Sequence, residues 1–365
     1  MIDLPPNNHQ SLVNLIGELE SRLSGQSAAP RLEESLRSII PAAASYLLVL
    51  FDGLGDRQLT HPAAQGLWGS RKAELRAPFP TTTTVSLATI ATGQPVSAHG
   101  WLAHLMWFPE LNRVVNTLKW VDLHGVGVTY DTSTLLPHPN LWERLAAAGV
   151  ETVTVQPAEF ASTPLTAALY RGVSYAGYQS AQEFVARALA EVAVPGRLVF
   201  AYWPPIDFAA HVYGLSSPEY SDSLLQASAL WQELRYGLPP NASMIATADH
   251  GMVDVAAAGK YLIRDQSLQM LDFWGDPRAL MIRGSRRLID RLREDSGAEL
   301  VEAEQVMALL GGEPHHPHLV SRAPEVVLLA PPGTVLLPPG FDKRLLGYHG
   351  GLTEEETAIP LLVDG

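Results

Sequence analysis

Cysteine is absent from the 365 residues, so no disulfide and no thiolate metal site can form, and any bound metal must rest on His, Asp, Glu or hydroxyl oxygen. Basic residues are in deficit: 25 Lys and Arg stand against 38 Asp and Glu, a formal net charge of −13. This excludes a basic surface of the kind that grips nucleic acid or anionic membrane. Long apolar runs are also missing; the most apolar stretch, around Tyr46 to Phe51, is far short of the roughly 20 residues that span a bilayer. Met1 to Gln10 carries no basic patch followed by an apolar run, so it does not read as a secretory signal, and a cytoplasmic location is expected. No fixed-period repeat or low-complexity tract stands out. An acidic protein of this kind that handles phosphate must bring in positive charge locally, and bound cations are the natural means.

What the chain has is a globular composition, 47% hydrophobic and 17% charged. Leu12, Leu15, Ile16, Leu19 and Leu23 recur at helical spacing, and 31–40 continues similarly, so residues 1–45 read as a helical lead-in. The run Tyr46–Phe51 ends abruptly in Asp52-Gly53, which reads as a buried strand followed by a tight turn. Short apolar runs recur at 151–155, 198–203, 244–248, 279–282 and 325–329, with helical patterns such as 141–148 and 181–192 between several of them. That alternation predicts an α/β fold with a mostly parallel central sheet and helices on both faces, in which ligands bind at the carboxyl ends of the strands. One catalytic domain over 1–365 is expected, with 253–343 forming a small inserted subdomain or cap.

Six acids and imidazoles stand beside glycines or at strand ends: Asp52, Asp207, His211, Asp249, His250 and His349. Carboxylate and neutral imidazole suit zinc, and carboxylates bridge paired sites. Asp207 and His211, four residues apart, share one face of a helical turn. Asp249-His250 closes an apolar strand, and Gly251 permits the turn that lets both side chains face one ion. His349 is followed by Gly350-Gly351, where backbone can approach a ligand closely. Phe79-Pro80-Thr81-Thr82-Thr83-Thr84 feeds a helix that Gly93 ends, which crowds hydroxyls at a helix N-terminus where anions are favoured. Taken singly, each pattern is as readily a cap, a turn or a structural histidine. His61, His124, His315, His316 and His318 lack comparable neighbours and read as surface or loop residues. Trp101, Leu102, Leu105, Met106, Trp107 and Phe108 form an apolar cluster with two readings, the lining of a substrate pocket or, more simply, core or subdomain packing.

In their order, Phe51-Asp52-Gly53, Phe79-Pro80-Thr81-Thr82-Thr83, Thr92-Gly93, Ala98-His99-Gly100, Asp207-x-x-x-His211, Thr247-Ala248-Asp249-His250-Gly251 and Tyr348-His349-Gly350 resemble the alkaline phosphatase superfamily, nearest to its type I phosphodiesterase and nucleotide pyrophosphatase branch. The resemblance runs from about residue 46 to the C-terminus. It implies an alkaline-phosphatase-like fold and hydrolysis of phosphodiester or pyrophosphate bonds in a small phosphate ester through a phospho-threonine. Two divalent ions, Zn2+ or alternatively Mn2+, are implied. Thr83 takes the nucleophile's place, with Thr82 and Thr84 its nearest competitors. Asp207, His211 and His349 correspond to one metal site, and Asp52, Asp249, His250 and the Thr83 oxygen to the other. Two positions depart from the pattern. Thr84 stands where nucleotide pyrophosphatases carry an aromatic residue that holds the base, and His104 replaces an Asn that binds a phosphate oxygen; His104 or Asn116 is then the substitute. Relatives with the same ligands leave phosphomonoesterase, phosphonoacetate hydrolase and phosphomutase activities open, as well as a non-catalytic metal- or anion-binding role.

Overall fold

The computed structural model describes residues 9–364; most of the N-terminal stretch read for a secretory signal, 1–8, lies outside them. The helix Leu12–Ser24 buries Leu12, Leu15, Ile16 and Leu19 in the main core and ends at Gly25, whose φ of 78° closes it in a left-handed cap. Of the second predicted helical stretch, only Glu34–Arg37 forms a helix.

Seven strands make the central sheet, in the order Arg71–Arg76, Ala358–Asp364, Ala242–Thr247, Ser45–Phe51, Arg197–Trp203, Glu151–Pro157 and Ser174–Tyr178. Ser45–Phe51 lies in the middle, parallel to both neighbours: Leu50 stands opposite Thr247 on one side and Tyr202 on the other. Every residue of that strand is buried, which explains why it reads as a continuous apolar run rather than an alternating one. Ala358–Asp364 and Arg71–Arg76 close one edge in antiparallel pairing. The carboxyl ends of Ser45–Phe51, Arg197–Trp203 and Ala242–Thr247 therefore lie side by side.

A second seven-stranded sheet joins distant segments, in the order Glu299–Glu302, Val326–Leu329, Ala279–Arg283, Asp272–Asp276, Leu105–Phe108, Arg113–Asn116 and Val121–Asp122. The sequence pattern placed 279–282 and 325–329 among the parallel strands, and here they are antiparallel. The cause is local: Asp276 pairs with Ala279 across Pro277-Arg278, and two strands joined by so short a turn can only run antiparallel. Leu105–Phe108 joins the same sheet beside Gly275. Trp101, Leu102, Met106, Trp107 and Phe108 are all buried in the main core, so that cluster packs rather than lining a cleft.

Candidate metal centre and nucleophile

The three adjacent parallel strands deliver the acids. Asp52 follows the middle strand, and its N–H donates to the Trp203 carbonyl at 3.1 Å; Asp249 follows the neighbouring strand. Asp207 lies in the helix Pro205–Tyr213 that opens after the third, and its N–H donates to the Asp52 carbonyl at 3.1 Å. Gly53 is indispensable here: its φ is 74°, and a Cβ on it would lie 3.0 Å or less from the Cα and Cβ of Asp207. Its N–H donates to Asp249 Oδ1 at 3.0 Å, tying the first and third acids together.

All three carboxylates present a bare oxygen, and in Asp249 and Asp52 the other oxygen is held. Asp249 Oδ1 accepts from the Gly53 and His250 amides, and Asp52 Oδ2 accepts from the Tyr202 hydroxyl. Asp52 Oδ1, Asp207 Oδ1 and Asp249 Oδ2 are buried and accept no hydrogen bond. Such atoms are costly unless something cationic meets them. Burial, and then the neighbouring Asp249 and Asp207, push the Asp52 carboxyl well above its ordinary range. Burial raises Asp207 as well, against the opposing pull of His211 and His250.

The imidazoles are turned the same way. The Nδ1 atoms of His211, His250 and His349 lie 2.7, 3.0 and 2.8 Å from the carbonyls of Gly347, Gly251 and Thr81. A carbonyl only accepts, so these partners assign the proton to Nδ1 and leave each Nε2 a bare donor of electrons. Those Nε2 atoms converge: His349 Nε2 is 3.1 Å from His211 Nε2, and His250 stacks on His349 with ring centroids 3.7 Å apart. Burial and the two neighbouring rings hold His349 well below the ordinary histidine range. Lone pairs and carboxylate oxygens facing one another at such distances form a cage with the chemistry of a divalent-cation site.

Donor atoms of Asp52, Asp249 and His250 lie within 4.8 Å of one another, as do those of Asp207, His250 and His349. His211 Nε2, 3.3 Å from Asp207 Oδ1, sits at the edge of the second group. His250 thus stands between the two clusters. Thr83 completes the arrangement, with Oγ1 3.1 Å from His250 Nε2. It is the first residue of the helix Thr83–Thr92, which Thr82 precedes and Gly93 ends at a φ of 62°. Ser86 pins that helix to the acid loop, its hydroxyl donating to the Asp249 carbonyl at 2.8 Å. The free amides of the first turn and the positive end of the helix therefore face the cage.

The remaining candidates are placed differently. Thr84 is fully buried, and its hydroxyl has no partner. Burial pushes His104 down to about 4, and its Nε2 is enclosed without a partner. Asn116 Oδ1 is engaged in a turn, accepting the amides of Leu118 and Lys119 at 3.1 and 3.0 Å. Four residues beside or behind the site were missed by sequence reasoning, namely Tyr202, Asp276, Arg278 and Glu356. Asp276, pushed up to about 7 mainly by burial, accepts the Thr82 hydroxyl at 3.2 Å. None of the four carried a sequence signal beyond that of a turn, strand or cap residue.

Fold and cage together define an alkaline-phosphatase-like α/β protein with an acid and imidazole cluster at the carboxyl end of its parallel sheet. The model of the family "Type I phosphodiesterase / nucleotide pyrophosphatase" matches residues 46–350, and the chain belongs to that family of phosphoryl-ester hydrolases. Among solved structures, murine ectonucleotide pyrophosphatase/phosphodiesterase 5 is similar with a TM-score of 0.67 and 20% identity over 88% of each chain. The human protein of the same description gives 0.66 and 21%, over 88% of this chain and 87% of that one. Phosphonoacetate hydrolase from Sinorhizobium meliloti, in complex with phosphonoformate, gives 0.65 and 18%, over 89% and 91%. At these identities the likeness establishes the fold. Among the described residues, no helix is long and apolar enough to cross a membrane.

Proposed function

We propose that this chain is a metal-dependent hydrolase of phosphodiester or pyrophosphate bonds in small phosphate esters, acting through a phospho-threonine on Thr83. The observation that carries the reading is the gathering of three bare buried carboxylate oxygens and three imidazole Nε2 atoms into adjoining groups that share His250, whose Nε2 lies 3.1 Å from the Thr83 hydroxyl. Asp207, His211 and His349 would hold one divalent ion, and Asp52, Asp249, His250 and Thr83 Oγ1 the other; oxygen and nitrogen donors without sulfur suit Zn2+, with Mn2+ as the alternative. When bound, such ions supply Lewis acidity, which lowers the pKa of a coordinated hydroxyl and stabilises charge on phosphoryl and leaving oxygens.

The chain's own groups supply the rest. Thr83 Oγ1 gives up its proton to solvent and forms the new bond to phosphorus while the leaving oxygen departs with the electron pair of the broken P–O bond and is protonated from solvent; water then cleaves phospho-Thr83, its oxygen bonding to phosphorus and a proton returning to Oγ1. Amides of the first helical turn hold a phosphoryl oxygen, and the positive helix end favours its charge. Asp249 Oδ1 is held by two amides, so its other oxygen keeps a fixed direction through the cycle. The relatives support a small phosphorus oxyanion as ligand: an inactive alanine-for-threonine variant of the murine protein holds AMP, and the Sinorhizobium enzyme holds phosphonoformate.

Phosphonate or phosphomonoester hydrolysis is the second reading, favoured by one feature: Thr84, fully buried beside the nucleophile, offers no flat face on which a base could stack. Turnover of bis-p-nitrophenyl phosphate, p-nitrophenyl phosphate and phosphonoacetate by the Zn2+-loaded protein separates these readings. Preference for the diester supports the first, preference for either other substrate supports the second, and no turnover of any rejects hydrolysis.

A further inference from the structure

Behind the cage lies an ion pair that none of the proposed chemistry uses. Arg278 and Glu356 are both fully enclosed and meet two-pronged, Nε to Oε1 at 3.1 Å and Nη2 to Oε2 at 2.9 Å. Burying two charges is costly unless the remaining donors and lone pairs find partners. Here they do. Arg278 Nη1 donates to the carbonyls of Ala330, Pro331 and Thr334. Glu356 Oε1 accepts the Gly351 amide at 2.8 Å, and Oε2 accepts the Thr353 hydroxyl at 2.9 Å.

The partners of Glu356 give the pair its meaning. Its carboxylate holds Gly351, two residues after His349, and its backbone carbonyl accepts the amide of Gly251, the residue after His250, at 2.9 Å. One residue thus spans the two loops that present stacked imidazoles to the cage. Arg278 comes from the hairpin of the second sheet, and the same hairpin carries Asp276, which receives the Thr82 hydroxyl at 3.2 Å. Asp276 also packs against Gly350, where a Cβ would lie 2.6 Å from its own. Thr81 closes the circuit: its hydroxyl accepts the Gly350 amide at 3.0 Å and donates to the Gly351 carbonyl at 2.9 Å.

We propose that the Arg278–Glu356 pair is the positioning device of the metal centre, fixing the His250 and His349 loops against each other, while Asp276 extends the same brace to the nucleophile loop. The inference rests on the metal-dependent reading above. Neither member of the pair touches the cage, so both are positioning residues. A merely structural pair behaves otherwise, because buried ion pairs can often be exchanged together for neutral side chains without loss.

The test is a double variant, Arg278→Met with Glu356→Gln, which removes both charges and leaves neither alone. Zn2+ affinity is measured by competition with a chromogenic chelator, beside thermal unfolding and the kcat and KM for bis-p-nitrophenyl phosphate. The Glu20–Arg144 pair, at the far end of the helix Thr83–Thr92, is exchanged likewise as a control. The expected result is cooperative unfolding with Zn2+ affinity reduced about 10- to 100-fold. The kcat falls to match, while KM stays within about threefold; the control lowers the melting temperature alone. A folded double variant with wild-type Zn2+ affinity overturns the proposal. If the double variant does not fold, Arg278→Lys decides: lowered affinity supports the proposal and unchanged affinity overturns it. Wild-type protein that binds no Zn2+ rejects the metal reading itself, and this inference falls with it.

Discussion

The cage and the Arg278–Glu356 pair handle buried charge in opposite ways. At the carboxyl end of the parallel sheet, Asp52, Asp249 and Asp207 crowd together with bare oxygens, and among the described residues no Lys or Arg forms an ion pair with any of them. The hairpin of the antiparallel sheet instead matches its buried Arg278 to Glu356 with hydrogen bonds on every polar atom of the pair, and leaves a bare oxygen only on Asp276, the hairpin acid that faces the nucleophile loop. The contrast separates function from support. A cluster of like charges is kept only where something absent from the chain will meet it, whereas a satisfied pair holds geometry.

That comparison breaks first at the nucleophile. Thr83→Ala is expected to reduce hydrolysis by roughly 10^4-fold or more while leaving metal content intact, as removal of a nucleophile does when binding survives; steady-state kinetics and elemental analysis on one sample check it. Next come the cage residues. Asp249→Asn and His349→Ala are expected to lower Zn2+ affinity by more than about 100-fold, exceeding the effect of substituting a supporting residue. Chelator competition measures this, and wild-type affinity in both would contradict the cage.

A smaller effect follows from metal removal. If ions relieve the crowded acids, the metal-free protein unfolds more easily, and Zn2+ at about 100 times its Kd restores roughly 2.7 kcal/mol. Denaturant titration with and without chelator reads this difference, and equal midpoints would contradict it. The smallest expected effect lies outside the cage. Burial pushes His99 down to about 3; its Nε2 is bonded to the Thr89 hydroxyl, and its Nδ1 accepts the Trp101 amide. A histidine depressed in the folded state adds stability above its unfolded pKa near 6.5, and this is lost as pH falls toward 3 at about 1.4 kcal/mol per unit. Asp276, raised to about 7, works with the opposite sign, its contribution fading as pH rises through that value. The difference between wild type and His99→Gln isolates the histidine: the variant is expected to lose less stability between pH 6 and 5, and parallel curves would contradict the assignment.

Much of the parallel sheet was legible because its central strands are short and largely apolar with an Asp within a few residues of three carboxyl ends, and because Gly53, Gly93 and Gly251 mark where the chain must turn. The six acids and imidazoles were visible for the same reason, each beside a strand end, a helical i, i+4 step or a glycine. The brace was not. Arg278 and Glu356 are 78 residues apart, and Thr82 and Asp276 are 194 apart; each alone reads as a turn, strand or cap residue. Likewise the second sheet pairs Gly275 with Leu105, a contact that no local periodicity encodes. His316, read as a surface or loop histidine, is buried against Gly100, with its amide on the Ser97 carbonyl at 2.7 Å. Its burial comes from tertiary packing of a segment whose local sequence is polar.

Anomalous scattering at the zinc edge, from crystals grown with Zn2+ and vanadate, tests the central claim most directly. Two peaks are expected beside the Thr83 hydroxyl, one bounded by Asp207, His211 and His349 and the other by Asp52, Asp249 and His250. A cage without anomalous signal, or ions held only elsewhere on the surface, would contradict it.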